Sequence, residues 1–199
     1  MNLIKRIRNI ILWTIYSLSV ALILLELGLR AFPVSNPIMI EENSEILRYE
    51  PNKKGTWSLG KNFYHHIDIE SNNYGYRSSF NYKKNGNPNV MIIGDSYVEA
   101  WQVDFEESLS GILNNDLKKP VYSMGVSGSP LSQYEAFAVF SEKEFNPDIY
   151  VFVIVGNDFD ESLCIINFSP GRHCYDEDFS LKHTKYKRNF FVYLAKHSY

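Results

Sequence analysis

The sequence has few of the features that mark a metal or nucleic-acid protein. It has two cysteines in 199 residues and no Cys-x-x-Cys pair, so the spacing of a cysteine metal site is missing. No long basic stripe is present and the net charge is −3, which argues against a nucleic-acid partner. We therefore predict no bound metal, no other cofactor and no nucleic acid.

The composition is that of a globular protein with attachments. Apolar residues make up 45% of the chain and charged residues 22%, which suits one packed core. The length fits one ordinary domain plus additional segments. We divide the chain into an N-terminal tip and anchor (1–30), a linker and pre-domain segment (31–88), and an α/β domain (89–199).

The N-terminus carries a long apolar run behind a basic start. Lys5, Arg6 and Arg8 precede residues 10–29, which are about as many as a helix needs to cross a bilayer. The basic flank predicts a cytoplasmic N-terminus and an extracytoplasmic domain. A cleaved signal peptide is the rival interpretation, but residues 27–30 offer no small-x-small cleavage site. A buried core helix is the third reading, and we favour an uncleaved single-pass anchor.

Three apolar runs in the domain predict strands buried in a sheet. They are Val90–Ile93, Val121–Met124 and Ile149–Val155, and each is followed by a glycine and polar residues. Two helical stripes separate them: Leu109, Leu113 and Leu117, then Tyr134, Phe137, Ala138 and Phe140. This β-α-β-α-β order predicts a parallel doubly wound sheet with the three exit loops at one edge.

Ser96 follows the first of these strands, in Gly94-Asp95-Ser96. Open α/β sheets place their ligand sites at this edge. A helix beginning here would favour negative charge beside the Ser96 hydroxyl. The alternative is that Ser96 does no more than cap that helix.

The motifs at the three strand ends resemble a known family. Gly94-Asp95-Ser96, Gly128 and Gly156-Asn157-Asp158 look like the first three sequence blocks of the SGNH (GDSL-type) hydrolases. Those are esterases, lipases and acyltransferases, and the resemblance implies a flavodoxin-like three-layer α/β/α fold. The apolar start and Asn73-x-Gly-x-Arg77 also resemble membrane-anchored bacterial members that act on envelope glycans.

The resemblance assigns roles to specific residues. Ser96 matches the nucleophile, and its own N–H, the N–H of Gly128 and the side-chain amide of Asn157 match the oxyanion hole. Gly125 is the nearby alternative to Gly128. Asp95 and Asp158 are expected to brace their loops through backbone hydrogen bonds rather than to react.

One block of the family pattern is missing. The chain contains no Asp-x-x-His, which supplies the general base in the family. His173, His183 and His197 follow Asp158, and each is expected to be a surface residue rather than the base. We expect the sequence to stop short of the last block. That would leave the nucleophile and oxyanion hole without the family's base, and an incomplete sheet with exposed apolar surface that lowers activity or stability.

Cys164 and Cys174 bracket a short loop. Outside the cytoplasm they would meet an oxidising environment, which favours a local disulfide. Two free buried cysteines are the alternative.

Together these features predict a membrane-anchored extracytoplasmic serine esterase or O-acyltransferase acting on acyl, chiefly acetyl, esters of envelope glycans. A metallophosphoesterase also uses Gly-Asp and Gly-Asn motifs, but no Asp-x-His precedes the first motif here. A catalytically inactive or truncated SGNH-like protein that acts as a binding module is the third hypothesis.

Overall fold

The chain begins with one long helix that packs against little else. The computed structural model describes residues 2–60, 62–117, 119–190 and 192–193. Helix α1, Asn2–Ala31, contains an apolar stretch of 29 residues with a mean hydropathy of 2.2 in its most apolar window. At 1.5 Å per residue this stretch is about 44 Å long, enough to cross a bilayer. None of that window is buried, so the reading as a core helix is wrong, whereas a signal sequence meets the same criteria.

A small antiparallel hairpin follows the helix. Strands β1, Lys54–Leu59, and β2, His65–Glu70, pair with Lys54 opposite Glu70. A single bridge between Asn36 and Thr56 ties the chain leaving α1 to this hairpin.

The centre of the molecule is a three-stranded parallel sheet between helices. Its elements, in chain order, are β3 (Val90–Gly94), α2 (Ser96–Glu99), α3 (Leu109–Leu117), β4 (Val121–Gly125), α4 (Leu131–Phe145) and β5 (Ile149–Phe152). The strand order is β4-β3-β5, and both pairings are parallel. The mixed α/β class and the parallel sheet are therefore confirmed.

The two faces of the sheet bury different partners. Met91 and Ile93 face a large core formed with α4 and the segment 38–82. Val90 and Ile92 face a smaller core formed with α2 and α3. The pre-domain segment thus contributes to the main core, with Tyr76 and other side chains fully buried in it.

Strand β5 differs from its prediction. The sequence predicted a buried strand over Ile149–Val155, but the strand ends at Phe152 and most of it is exposed. Ile149 is 52% exposed and Phe152 is 44% exposed. Both β4 and β5 are edge strands in the described residues, but β4 lies in the two cores through Val121, Tyr122 and Met124. Strand β5 is exposed because only its Tyr150 packs against either core.

The predicted stripe of α3 is confirmed at Leu113, which packs against the smaller core, but not at its two ends. Leu109 and Leu117 are 39% and 41% exposed, whereas Ser110 and Gly111 are buried. Gly111 lies against the carbonyl of Phe105, where a side chain would collide with the backbone. Small residues let this helix approach the backbone at Phe105 closely, and the spacing of the leucines does not predict that contact.

A disulfide-linked hairpin closes the described chain. Strands β6, His173–Tyr175, and β7, Leu181–His183, pair antiparallel, and a disulfide joins Cys164 to Cys174. The Ser132 hydroxyl donates to the His173 carbonyl at 2.9 Å. The hairpin is thereby fixed to the N-terminal turn of α4.

Candidate active site

The three predicted site loops leave the sheet at the same edge. In the parallel register Gly94 lies beside Gly125, and Ile93 lies beside Phe152. Because neighbouring strands are about 4.8 Å apart, the exits of β4 and β5 lie roughly 10 Å apart on either side of β3. The sheet therefore places the Ser96 loop between the loops that carry Gly128 and Asn157.

Ser96 is the first residue of the short helix α2. The helix cap is Asp95, whose Oδ1 accepts the Tyr97 N–H at 2.9 Å, so the hypothesis that Ser96 is itself the cap is wrong. The Ser96 hydroxyl donates to Asp95 Oδ2 at 3.4 Å. The sequence suggested that a helix dipole would stabilise negative charge beside the Ser96 hydroxyl. Because α2 has four residues, its dipole is small and contributes little.

Gly128 and Gly125 occupy distinct environments. Gly128 has φ +71° on the loop after β4, and a Cβ built there would lie 2.8 Å from Arg172 Nη2. Gly125 ends β4 beneath α2, where a Cβ would lie 2.7 Å from the Glu99 nitrogen. Gly125 is thus packed under the helix, whereas Gly128 lies beyond the strand.

Asn157 lies in an exposed 3₁₀ turn, Gly156–Asp158, after β5. Its side-chain nitrogen donates to Glu161 Oε1 at 3.1 Å. An asparagine amide carries two N–H groups, so this contact leaves one for another acceptor.

Asp158 is 1% exposed beside Asn157. Its Oδ2 accepts the Val155 N–H at 2.7 Å and the Tyr134 hydroxyl at 2.9 Å, while no partner is described for its buried Oδ1. Burial raises the pKa of Asp158, and the nearby Asp95 carboxylate adds to the rise. Burial and the bond to Asp158 likewise raise the pKa of Tyr134. These contacts fix the start of the 156–158 turn.

One buried glutamate at this edge was not predicted from the sequence. Glu99 is 1% exposed and ends helix α2. Its Oε1 accepts the Tyr49 hydroxyl and the Ser127 N–H, and its Oε2 accepts the Ser127 hydroxyl. Burial raises the pKa of Glu99, and the bonds from Ser127 and Tyr49 oppose that rise.

Arg77 holds the same turn from the other side. Its guanidinium donates to the carbonyl oxygens of Glu99, Ala100 and Val103 and lies 5.4 Å from the centre of the Trp101 ring. A single glutamate or arginine has no periodicity, and its burial follows from contacts distant in sequence. The one available signal was position, because Glu99 closes the turn that begins at Ser96.

The histidines that follow the site are engaged elsewhere. His173 Nδ1 lies 3.0 Å from Gln133 Oε1, and its ring stacks on His183 at 4.3 Å between centres. Burial lowers the pKa of His173 to about 4, and His183 contributes. His197 lies outside the described residues. Within those residues, no histidine is hydrogen-bonded to the Ser96 hydroxyl.

No group of three or more His, Cys, Asp or Glu side chains in the described part of the chain could hold a metal ion.

A scan against protein-family models finds no match, and searches of curated proteins and of solved structures find none either.

Proposed function

We propose that the chain is a membrane-anchored, extracytoplasmic serine esterase or O-acyltransferase of the SGNH type. Its proposed substrates are acyl, chiefly acetyl, esters of envelope glycans. The observation that carries the proposal is the exit of three loops at one sheet edge, with Ser96 after the central strand. The order β4-β3-β5 also matches the first three strands of a flavodoxin-like sheet.

The chemistry assigned to this edge is acyl transfer through a covalent intermediate. Ser96 Oγ attacks the ester carbonyl carbon and loses its proton to a base, forming a tetrahedral oxyanion. The N–H groups of Ser96 and Gly128 and the free N–H of Asn157 are the proposed oxyanion donors. Collapse breaks the bond to the sugar oxygen, which leaves with a proton, and water or another hydroxyl then takes the acyl group from Ser96.

The proton acceptor sets the expected rate. Asp95 Oδ2 is the one hydrogen-bond partner described for the Ser96 hydroxyl, so we propose Asp95 as the acceptor in this chain, in addition to the bracing role expected from the sequence. A carboxylate is a weaker base than imidazole, so we expect slow turnover of unactivated esters by this chain. Reaction with an activated phosphonate is therefore the more sensitive assay of Ser96.

Two features support the proposed location. Helix α1 is long and apolar enough to span a membrane, and its basic start favours a cytoplasmic N-terminus. The disulfide between Cys164 and Cys174 belongs to an oxidising compartment. Both fit a domain on the outer side of the membrane that meets envelope glycans.

The test is the reaction of the full chain in detergent micelles with a fluorophosphonate, followed by intact-mass and peptide analysis. We expect one phosphonyl adduct on Ser96 in wild type and none in Ser96→Ala. The Ser96→Ala variant should also turn over activated acetyl esters at least ~10³-fold more slowly than wild type. Asn157→Ala should lose ~10²–10³-fold. A Ser96→Ala protein that releases acetate at the wild-type rate would contradict the proposal.

A binding module is the second candidate, favoured by the lack of a histidine bonded to Ser96 in the described residues. It predicts that wild-type protein retains an acetylated glycan in a pull-down without forming the phosphonyl adduct. Adduct formation on Ser96 would exclude this candidate.

A further inference from the structure

We infer that Glu99 is a positioning residue that fixes the Gly128 loop relative to Ser96. The inference rests on the proposed function, because it concerns the placement of one proposed oxyanion donor. It requires that a single side chain connect the turn carrying the nucleophile with the loop carrying that donor.

The contacts of Glu99 make this connection directly. Glu99 closes the helical turn that Ser96 opens, so its backbone moves with the nucleophile. Its carboxylate accepts both the N–H and the hydroxyl of Ser127, the residue immediately before Gly128. The loop's attachment point is thus the residue directly before the proposed oxyanion donor.

The remaining contacts make the connection rigid. The Tyr49 hydroxyl, from the pre-domain segment, donates to the same carboxylate. Arg77 donates to the Glu99 and Ala100 carbonyls, which fixes the end of the turn. Because hydrogen bonds to a buried charge are stronger than neutral ones, the carboxylate anchors the loop more firmly than an amide would.

The contacts also exclude a catalytic role for this carboxyl group. Glu99 is 1% exposed, and both of its oxygens accept hydrogen bonds from Tyr49 or Ser127. The Ser96 hydroxyl donates to Asp95 instead. Glu99 therefore acts through the loop that it holds.

A released loop has a specific kinetic signature. Substrate binding does not depend on the oxyanion donor, whereas the tetrahedral transition state does. A shift of about 1 Å in a catalytic group can cost ~10²-fold. Loss of the Glu99 contact should therefore lower kcat and leave KM nearly unchanged.

The experiment compares Glu99→Gln, Ser127→Ala and the double variant with wild type on an activated acetyl ester. Glu99→Gln keeps the side-chain volume, and Ser127→Ala removes one donor at an exposed position, so it remains informative if the first variant does not fold. Glu107→Gln is the matched control, since Glu107 is exposed beyond the site. Thermal melting of each variant is measured in parallel.

We expect kcat to fall ~10-fold to ~10²-fold in both single variants, with KM within about twofold and no comparable loss in Glu107→Gln. The kcat of the double variant should be no lower than that of the more impaired single variant, because both changes act on the same contact between Glu99 and Ser127. Folded single variants with wild-type kcat, or an equal loss in Glu107→Gln, would overturn the inference and leave the proposed function intact. A wild-type protein without Ser96-dependent reaction would instead overturn the proposed function, and the inference with it.

Discussion

The two sides of the sheet edge are built differently. On the side of β3 and β4 every strand residue is buried, and Glu99 and Arg77 fix the loops that follow. On the side of β5 the strand is largely exposed, and the exposed Asn157 side chain is hydrogen-bonded to Glu161. Ser96 and the Gly128 N–H, the proposed nucleophile and backbone donor, thus lie on loops anchored by buried contacts, whereas the proposed side-chain donor, Asn157, is exposed.

The difference follows from what packs on each strand, because β4 and β5 are both edge strands. Val121, Tyr122 and Met124 of β4 lie in the two cores, whereas Tyr150 is the one β5 side chain packed against either core in the described residues. Strand β3 pairs on both sides and packs on both faces, with the segment 38–82 completing one core. Strand β5 has β3 on one side and no described strand on the other.

The largest expected effect is a difference in stability loss between two isoleucine-to-alanine variants. The two isoleucines lie on the same face of adjacent strands. Ile92 of β3 is fully buried, whereas Ile149 of β5 is 52% exposed. Ile92→Ala should cost ~2–5 kcal/mol of unfolding free energy, and Ile149→Ala about 0.5 kcal/mol. Chemical denaturation of the two variants measures both values, and equal costs would break the contrast between the strands.

A smaller effect tests the hairpin that supports the start of α4. His173 contacts Gln133 and His183. Burial lowers the pKa of His183 overall, while the charge of Glu45 raises it and the charge of Lys185 lowers it. The folded pKa of His173, about 4, lies below its ordinary value of 6.5. The folded state therefore favours the neutral ring, and this contribution is complete above pH 6.5 and is lost as the pH falls towards 4.

Relative to His173→Gln, wild type should lose about 1–3 kcal/mol of unfolding free energy across that interval. Denaturant titrations of both proteins at several pH values provide the measurement. The carboxylates titrate in both proteins and cancel in the difference. Parallel pH curves for the two proteins would show that His173 is not held neutral.

The smallest effect concerns the open side alone. Glu161→Ala removes the hydrogen bond to the Asn157 amide but leaves both of its N–H groups. Turnover should change by no more than ~5-fold, the worth of one exposed hydrogen bond. If Glu161→Ala is as damaging as Asn157→Ala, the amide serves to hold its own turn rather than to bind an oxyanion.

The sequence predicted those parts of the molecule that depend on local pattern. Apolar runs ending in glycine located β3 and β4, and the stripe containing Tyr134 and Phe137 located α4. It could not predict that β5 is exposed, because the burial of a strand depends on neighbours that its own residues do not encode. The same limit applies to α3, where Gly111 rather than leucine makes the close contact.

The residues of the candidate site also fall into those that the sequence suggested and those that it did not. Ser96, Gly128 and Asn157 could be proposed from the sequence because the motifs at the three strand exits resemble those of the SGNH hydrolases. Glu99 and Arg77 were not assigned these contacts, because their partners are backbone and side-chain groups brought together by the fold. The residues that position a site are thus harder to read from sequence than those that form it.

The central claim is that one ester oxygen can meet donors from all three exit loops. A crystal structure of the phosphonylated protein tests it directly, because the phosphonyl oxygen occupies the place of the oxyanion. We predict that this oxygen lies within about 3.1 Å of the Ser96 nitrogen, the Gly128 nitrogen and Asn157 Nδ2. A phosphonyl group on Ser96 whose oxygen points into solvent, away from Gly128 and Asn157, would contradict the account.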